Sequence, residues 1–162
     1  LKECGKLFSK IIDHDQFNLR ETCEKFEELC KNCTSVVFNH QVVHSLLFNV
    51  ILHTPIKWRV VSLECPTKEH YKGSKRCDVV LYCGFYLVVI EIKYDQSVDD
   101  AMKQIYEKKY LHVLKNKNII ENINEVKYVI SFGIAVSNQK EVTMKFKVCD
   151  RETGETKILL EV

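Results

Sequence analysis

Three ionisable residues interrupt a run that is otherwise apolar, Asp78-Val79-Val80-Leu81-Tyr82-Cys83-Gly84-Phe85-Tyr86-Leu87-Val88-Val89-Ile90-Glu91-Ile92-Lys93. The run reads as two strands joined by a tight turn at Gly84-Phe85. If that pair is the turn, Cys83 pairs with Tyr86. Each step back along the first strand then matches a step forward along the second, and Asp78 comes to face Glu91. Directly opposed side chains have Cβ atoms about 4.5–5.5 Å apart. Lys93, two residues beyond Glu91, projects from the same face.

Charges on an apolar strand pair cost several kcal/mol unless they are paired or bind a metal. Two adjacent carboxylates repel each other, and a divalent cation relieves the repulsion. Mg²⁺ takes oxygen ligands, commonly one or two carboxylates with waters and substrate phosphate. Such an ion activates water and polarises a phosphoryl oxygen, and a lysine beside it can orient the water or stabilise charge at phosphorus. The competing reading is an Asp78–Lys93 or Glu91–Lys93 ion pair capping a sheet edge. The chemistry of the three residues alone does not choose between the two.

The surrounding elements follow from periodicity. Residues 3–12 and 16–31 read as helices, the second with Leu19, Cys23, Phe26 and Cys30 in one apolar stripe. Residues 39–53 form another, with Val43, Leu46, Leu47, Val50 and Ile51 on one side, ended by Thr54-Pro55 because the residue before a proline is pushed out of the α region. A strand is expected at 57–65. The hairpin strands are apolar on both faces, so they belong inside a covered sheet. Ser97 with Asp100 makes a capping box for a helix from 97 to 114, buried through Val98, Ala101, Met102 and Ile105. Strands follow at 127–136 and 141–148, the latter with Val142, Met144, Phe146 and Val148 inward and Thr143, Lys145 and Lys147 outward. A turn at Thr153-Gly154 leads to a last strand at 156–162.

With 162 residues, the chain has the length of one domain with a real core. Its 46% hydrophobic and 28% charged residues exclude disorder and low complexity. No apolar run is long enough for a membrane span. The chain begins with Leu and no charged-then-apolar leader follows, as expected of a piece of a longer protein. The net charge of +2 is not that of a strongly basic nucleic-acid coat, although lysines and arginines flank the hairpin on both sides. The eight cysteines, several inside apolar runs, read as reduced thiols of an intracellular protein, cytoplasmic or nuclear. Cys30 and Cys33 form a lone C-x-x-C, and His40 and His44 follow at helical spacing. A zinc site from these four is weaker than ordinary packing, because no second C-x-x-C accompanies the first.

Asp78, twelve intervening residues and Glu91-Ile92-Lys93 resemble the D…(D/E)-x-K signature of the PD-(D/E)XK nuclease superfamily. Gly73-Ser74-Lys75-Arg76-Cys77-Asp78-Val79-Val80-Leu81 is similar to the entry strand of the branch commonly attached to AAA-ATPase-like domains. The stretch from Ser97 to Tyr110 is similar to that branch's helix, with Ala101, Gln104, Ile105, Lys108 and Tyr110 in place. The resemblance implies an α/β fold with a restriction-endonuclease-like core over 35–162, a mixed four- to five-stranded sheet flanked by helices, and a helical extension or connector over 1–34. It implies Asp78, Glu91 and the Ile92 carbonyl as ligands of Mg²⁺ or Mn²⁺, Lys93 as the catalytic lysine and Gln104 near the scissile phosphate. Lys75, Arg76, Lys108 and Tyr110 would contact nucleic acid, DNA before RNA, with helix packing as the plainer role for the last two. Gln104 and Tyr110 lie six residues apart, about 240° around a helix, so they cannot both face the metal.

One departure stands out. The family's first core helix commonly carries a Glu that supports the metal, and here His40 occupies the best-matching position. Imidazole is a poor substitute for a carboxylate toward Mg²⁺; Glu64, at the end of the preceding strand, is the other accessory candidate. The expected function is therefore a metal-dependent nuclease domain of a larger protein. The alternative is a catalytically inactive module that binds nucleic acid or a protein partner, including other domains of the parent chain.

Overall fold

The computed structural model describes residues 1–10, 16–34, 37–55, 59–66, 76–108, 125–154 and 156–162; within these, positions 16, 17, 59–66, 76–78, 83, 107, 108 and 156–160 are described by backbone alone. Apolar stripes set the first three helices, α1 (Lys2–Ser9), α2 (Gln16–Lys31) and α3 (His40–Leu52). The expected α2 stripe is buried at all four positions, Leu19, Cys23, Phe26 and Cys30. Asn39 starts α3 by accepting the Val42 N–H at 3.1 Å. The helix stops before Pro55, where the Thr54 N–H and hydroxyl both reach the Ile51 carbonyl, at 3.1 and 2.9 Å.

Six strands follow, one for each segment that periodicity marks: β1 (Arg59–Pro66), β2 (Arg76–Cys83), β3 (Tyr86–Tyr94), β4 (Tyr128–Val136), β5 (Val142–Asp150) and β6 (Thr156–Glu161). They form one mixed sheet in sequential order, with β3 and β4 parallel and every other neighbouring pair antiparallel. The sheet is thus mixed and flanked by helices as expected, and its six strands exceed the four or five of the family core. Helix α4 (Val98–Lys108) makes the crossover from β3 toward β4. Its capping box forms in both directions, the Asp100 N–H to Ser97 Oγ at 3.1 Å and the Ser97 N–H to Asp100 Oδ2 at 3.3 Å. The remainder of the helix expected to 114 lies outside the described residues.

Strand alternation divides the sheet into two faces. Val79, Leu81, Val88, Ile90, Ile92, Phe132 and Phe146 share a hydrophobic cluster with Phe8, Phe26, Leu47 and Val50, so α1, α2 and α3 cover one face. Each fully buried Phe or Leu contributes about 1.5–3 kcal/mol there. The stretch 1–34, read from sequence as an extension or connector, therefore places its helices in the same core as the sheet. Two polar contacts pin α2 to β5: the Val142 N–H donates to Glu27 Oε2 at 2.9 Å, and the Cys23 thiol to the Val142 carbonyl at 3.2 Å.

The other face lies under α4, which buries Val98, Ala101 and Ile105. Its approach is closest at Gly133 in β4. A Cβ there would stand 3.0 Å from Met102 Sδ and 3.2 Å from Ala101 Cβ, tighter than ordinary contact. Lys145 of β5 anchors the start of the helix, pairing with Asp99 at 2.8 Å and with Glu161 of β6 at 3.1 Å. Those two carboxylates, Asp99 first, raise the Lys145 ammonium above its ordinary pKa.

Candidate active site

The hairpin forms in the expected register. Gly84 takes a φ of +54°, which a glycine adopts without strain, and Gly84-Phe85 is the turn. Pairing runs from Cys83 opposite Tyr86 to Val79 opposite Ile90. Asp78 and Glu91 are the next residues on the two strands. Between β1 and β2, Leu63 opposite Val79 and Cys65 opposite Cys77 bracket Glu64 and Asp78. Glu91 in turn pairs with Gly133, and Gly133 with Lys145. The backbone thus sets Glu64 beside Asp78 across β1 and β2, and Glu91, Gly133 and Lys145 in one row across β3, β4 and β5, while the β2–β3 pairing ends one residue short of Asp78 and Glu91. For Asp78 and Glu64 the backbone alone is described.

Glu91 is a carboxylate 2% exposed in a strand whose neighbours Val89, Ile90 and Ile92 are also buried. Its Oε1 lies 3.8 Å from Lys93 Nζ, and the lysine side chain is 19% exposed, so the pair sits at the rim of a buried surface. Lys93 also donates to the Gln104 side-chain oxygen, which reaches down from α4. Residues from two elements therefore converge: Glu91 and Lys93 through the two-residue repeat of β3, and Gln104 because α4 folds back over that strand. The expected companionship of Glu91, Lys93 and Gln104 is what the side chains show.

His40, the first residue of α3, points its Nε2 at the Ile92 carbonyl, 3.3 Å away. Its ring stands 6.2 Å from that of His44, one turn on. Carboxylate, peptide carbonyl and imidazole are donors that a divalent ion accepts. Among the described residues no three His, Cys, Asp or Glu side chains gather as a metal-binding group. That statement covers Cys30, Cys33, His40 and His44, which do not assemble into the zinc site weighed from spacing. Cys30 is instead a core residue, and burial, with a smaller push from Cys33, raises its thiol to about 12.

The remaining sequence candidates are placed by backbone or not at all. Arg76 opens β2 opposite Pro66, and Lys108 closes α4. Lys75 and Tyr110 lie outside the described residues. Sequence reasoning passed over Gly133. A glycine inside an apolar strand signals close approach by another segment, and here the segment is the helix that carries Gln104.

No protein-family model, no curated protein and no solved structure matches the chain.

Proposed function

We propose that this chain is a metal-dependent phosphodiesterase domain acting on nucleic acid, DNA in the first instance, with a restriction-endonuclease-like core. The observation that carries the reading is Glu91: a buried carboxylate on an apolar strand, with Lys93 at 3.8 Å and Gln104 bonded to that lysine. The resemblance of Asp78…Glu91-Ile92-Lys93 and of the Ser97–Tyr110 helix to the PD-(D/E)XK pattern supports it. So does the hairpin register, which puts Asp78 next along from the paired Val79 and Ile90. Asp78, Glu91 and the Ile92 carbonyl would hold Mg²⁺ or Mn²⁺, and such an ion supplies Lewis-acid activation of water and of the phosphoryl group.

The protein's own groups do the rest. Burial strengthens the field of the Glu91 charge, because the surrounding sheet excludes water. The Lys93 ammonium, tethered by Gln104, keeps a positive charge where a phosphodiester gains negative charge on attack. Gln104 holds the lysine in one orientation, so little reorganisation accompanies the reaction. Glu64 and His40 are accessory, and Lys75, Arg76, Lys108 and Tyr110 are proposed contacts to the phosphate backbone, which such cations bind without reading sequence.

A second reading has its own support. Lys93 already faces Glu91 at 3.8 Å and donates to Gln104, as a structural ion pair would, and His40 stands where the family commonly has Glu. On that reading the domain binds nucleic acid or a protein partner without cleaving. Incubation of the protein with Mg²⁺ or Mn²⁺ and with plasmid, linear and single-stranded DNA decides. Cleavage lost in Lys93→Ala is expected. No cleavage with either metal, or identical behaviour of Lys93→Ala, sinks the enzyme reading. Among the described residues no helix is long and apolar enough to cross a membrane.

A further inference from the structure

Helix α4 turns Gln104 toward Lys93 on one flank and carries an exposed aromatic side chain on the other. Tyr106 is 78% exposed, the most exposed large hydrophobic side chain among the described residues. The packing of α4 rests instead on Val98, Ala101 and Ile105. Lys147 of β5 brings its ammonium to 5.9 Å from the centre of the Tyr106 ring, at the outer limit of a cation–π contact. That lysine is half-buried, and among the described residues no carboxylate lies within ion-pair distance of it. Lys145, two residues earlier in β5, is paired with Asp99 and Glu161. The patch thus joins an aromatic surface that solvent reaches to a positive charge without a counter-charge.

Helix geometry relates this patch to the candidate centre. Residues 104 and 106 stand about 200° apart at 3.6 residues per turn, so Tyr106 lies across the helix from Gln104, a breadth of about 10–12 Å. Lys103 is exposed on the outer side between them, about 60° from Tyr106 and about 100° from Gln104. A chain crossing α4 from Gln104 would meet a lysine, then an aromatic ring, then a second lysine. Cations that follow the phosphates and rings that take the bases are the means by which proteins hold unpaired strands. Bases inside a duplex are stacked on one another and offer no face to a tyrosine.

We infer that Tyr106, with Lys147 and Lys103, is a stacking subsite for one base, and that the nucleic acid this domain engages is single-stranded, or locally unpaired, where it crosses α4. The inference rests on the nucleic-acid reading above and adds the form of the substrate. Tyr106 supplies the stacking surface. Lys147 steadies the ring and offsets the charge of the adjoining phosphate, and Lys103 receives the phosphate on the side of Gln104. The competing account is a solvated surface on which a lysine rests against a tyrosine.

Fluorescence anisotropy in EDTA, where metal-dependent cleavage is silent, separates the two accounts. The probes are a labelled DNA strand of mixed sequence, the RNA strand of the same sequence and the DNA duplex. A single strand should bind about tenfold or more tighter than the duplex, and the DNA and RNA strands together assign the sugar. Tyr106→Ala should weaken strand binding about tenfold and duplex binding less than about threefold. Tyr106→Phe keeps the ring and should stay within about threefold of the wild type. Lys147→Gln should lower the slope of log affinity against log salt by about 0.7, the share of one phosphate on a single strand. Because the Tyr106 side chain is exposed, its variants should melt as the wild type does. Duplex bound as tightly as either strand, or strand binding unchanged in Tyr106→Ala, overturns the inference, and Lys93-dependent cleavage alongside that result leaves the nuclease reading standing. Strand binding that requires Tyr106, with no cleavage in Mg²⁺ or Mn²⁺, keeps the subsite and defeats the enzyme. No binding of any of the three probes defeats the inference.

Discussion

Replacing Glu91 with Gln separates a functional carboxylate from a structural one. The side chain keeps its size, so no cavity forms in the strand. What changes is one negative charge 3.8 Å from Lys93 Nζ. At an effective dielectric near 20, that pair attracts by roughly 4 kcal/mol. Against this stands the desolvation of a carboxylate that is 2% exposed, itself several kcal/mol in proteins. The two terms oppose, and Lys93 retains both the Gln104 oxygen and partial access to water. The net stability change is therefore expected within about 2 kcal/mol of zero, or a shift in Tm of no more than several degrees for a domain this size. Activity has no such compensation. Loss of a charge-organising group in an active site costs about 10²–10³ in rate. Thermal melts paired with plasmid nicking in Mn²⁺ test this, and the expected signature is a nearly intact melt with nicking down at least a hundredfold. An unfolded Glu91→Gln protein would mean that the Glu91–Lys93 pair is a structural prop. A folded variant that nicks within threefold of wild type would remove Glu91 from the mechanism.

Three further outcomes follow from the packing and charges. Gly5→Ala puts a Cβ 2.7 Å from the His53 carbonyl oxygen and 2.8 Å from its carbon, backbone atoms that cannot turn aside. Overpacking of about 1–3 kcal/mol should outweigh the helix gain of up to about 1 kcal/mol, so the urea midpoint falls; a rise would show that α1 is not seated on α3. Gly133→Ala presses on Met102, which can yield, and on the Ala101 Cβ, which yields only if α4 moves. It should lower nicking more than it lowers the melting temperature, because Gln104 rides on that helix; equal fractional losses would argue that α4 does not position the site. Glu27 is held below the ordinary carboxylate pKa by Lys31 first and then by the Val142 N–H. A depressed folded-state pKa means its stabilisation is complete above about pH 4.3 and fades as pH falls through the lower folded value. Glu27→Gln should thus be less stable than wild type at pH 7, with the gap closing toward pH 3, as read from urea midpoints; a gap that widens in acid refutes the assignment.

Much of this protein was legible in its sequence because its signals are local. The β5 alternation, the α2 stripe, the Ser97–Asp100 capping box and the Gly84-Phe85 turn each depend on residues a few positions apart, and each formed as read. The hairpin register followed as well, from Cys83 opposite Tyr86 to Val79 opposite Ile90, since a two-residue turn sets the pairs next to it. The spacing of Glu91 and Lys93 needed nothing beyond the two-residue period of a strand. Tertiary structure decided what no local pattern encodes. The helices of 1–34 read as an extension or connector because an amphipathic stripe does not name its partner; the partner is the sheet face of Ile90, Phe132 and Phe146. Gln104 meets Lys93 because α4 comes down on Gly133, a contact between strand and helix set by the absence of a side chain. His40 meets the Ile92 carbonyl across 52 residues, through the angle at which α3 reaches the sheet. Periodicity determines which face of an element is apolar, and packing determines what that face, and the polar residues at its rim, will touch.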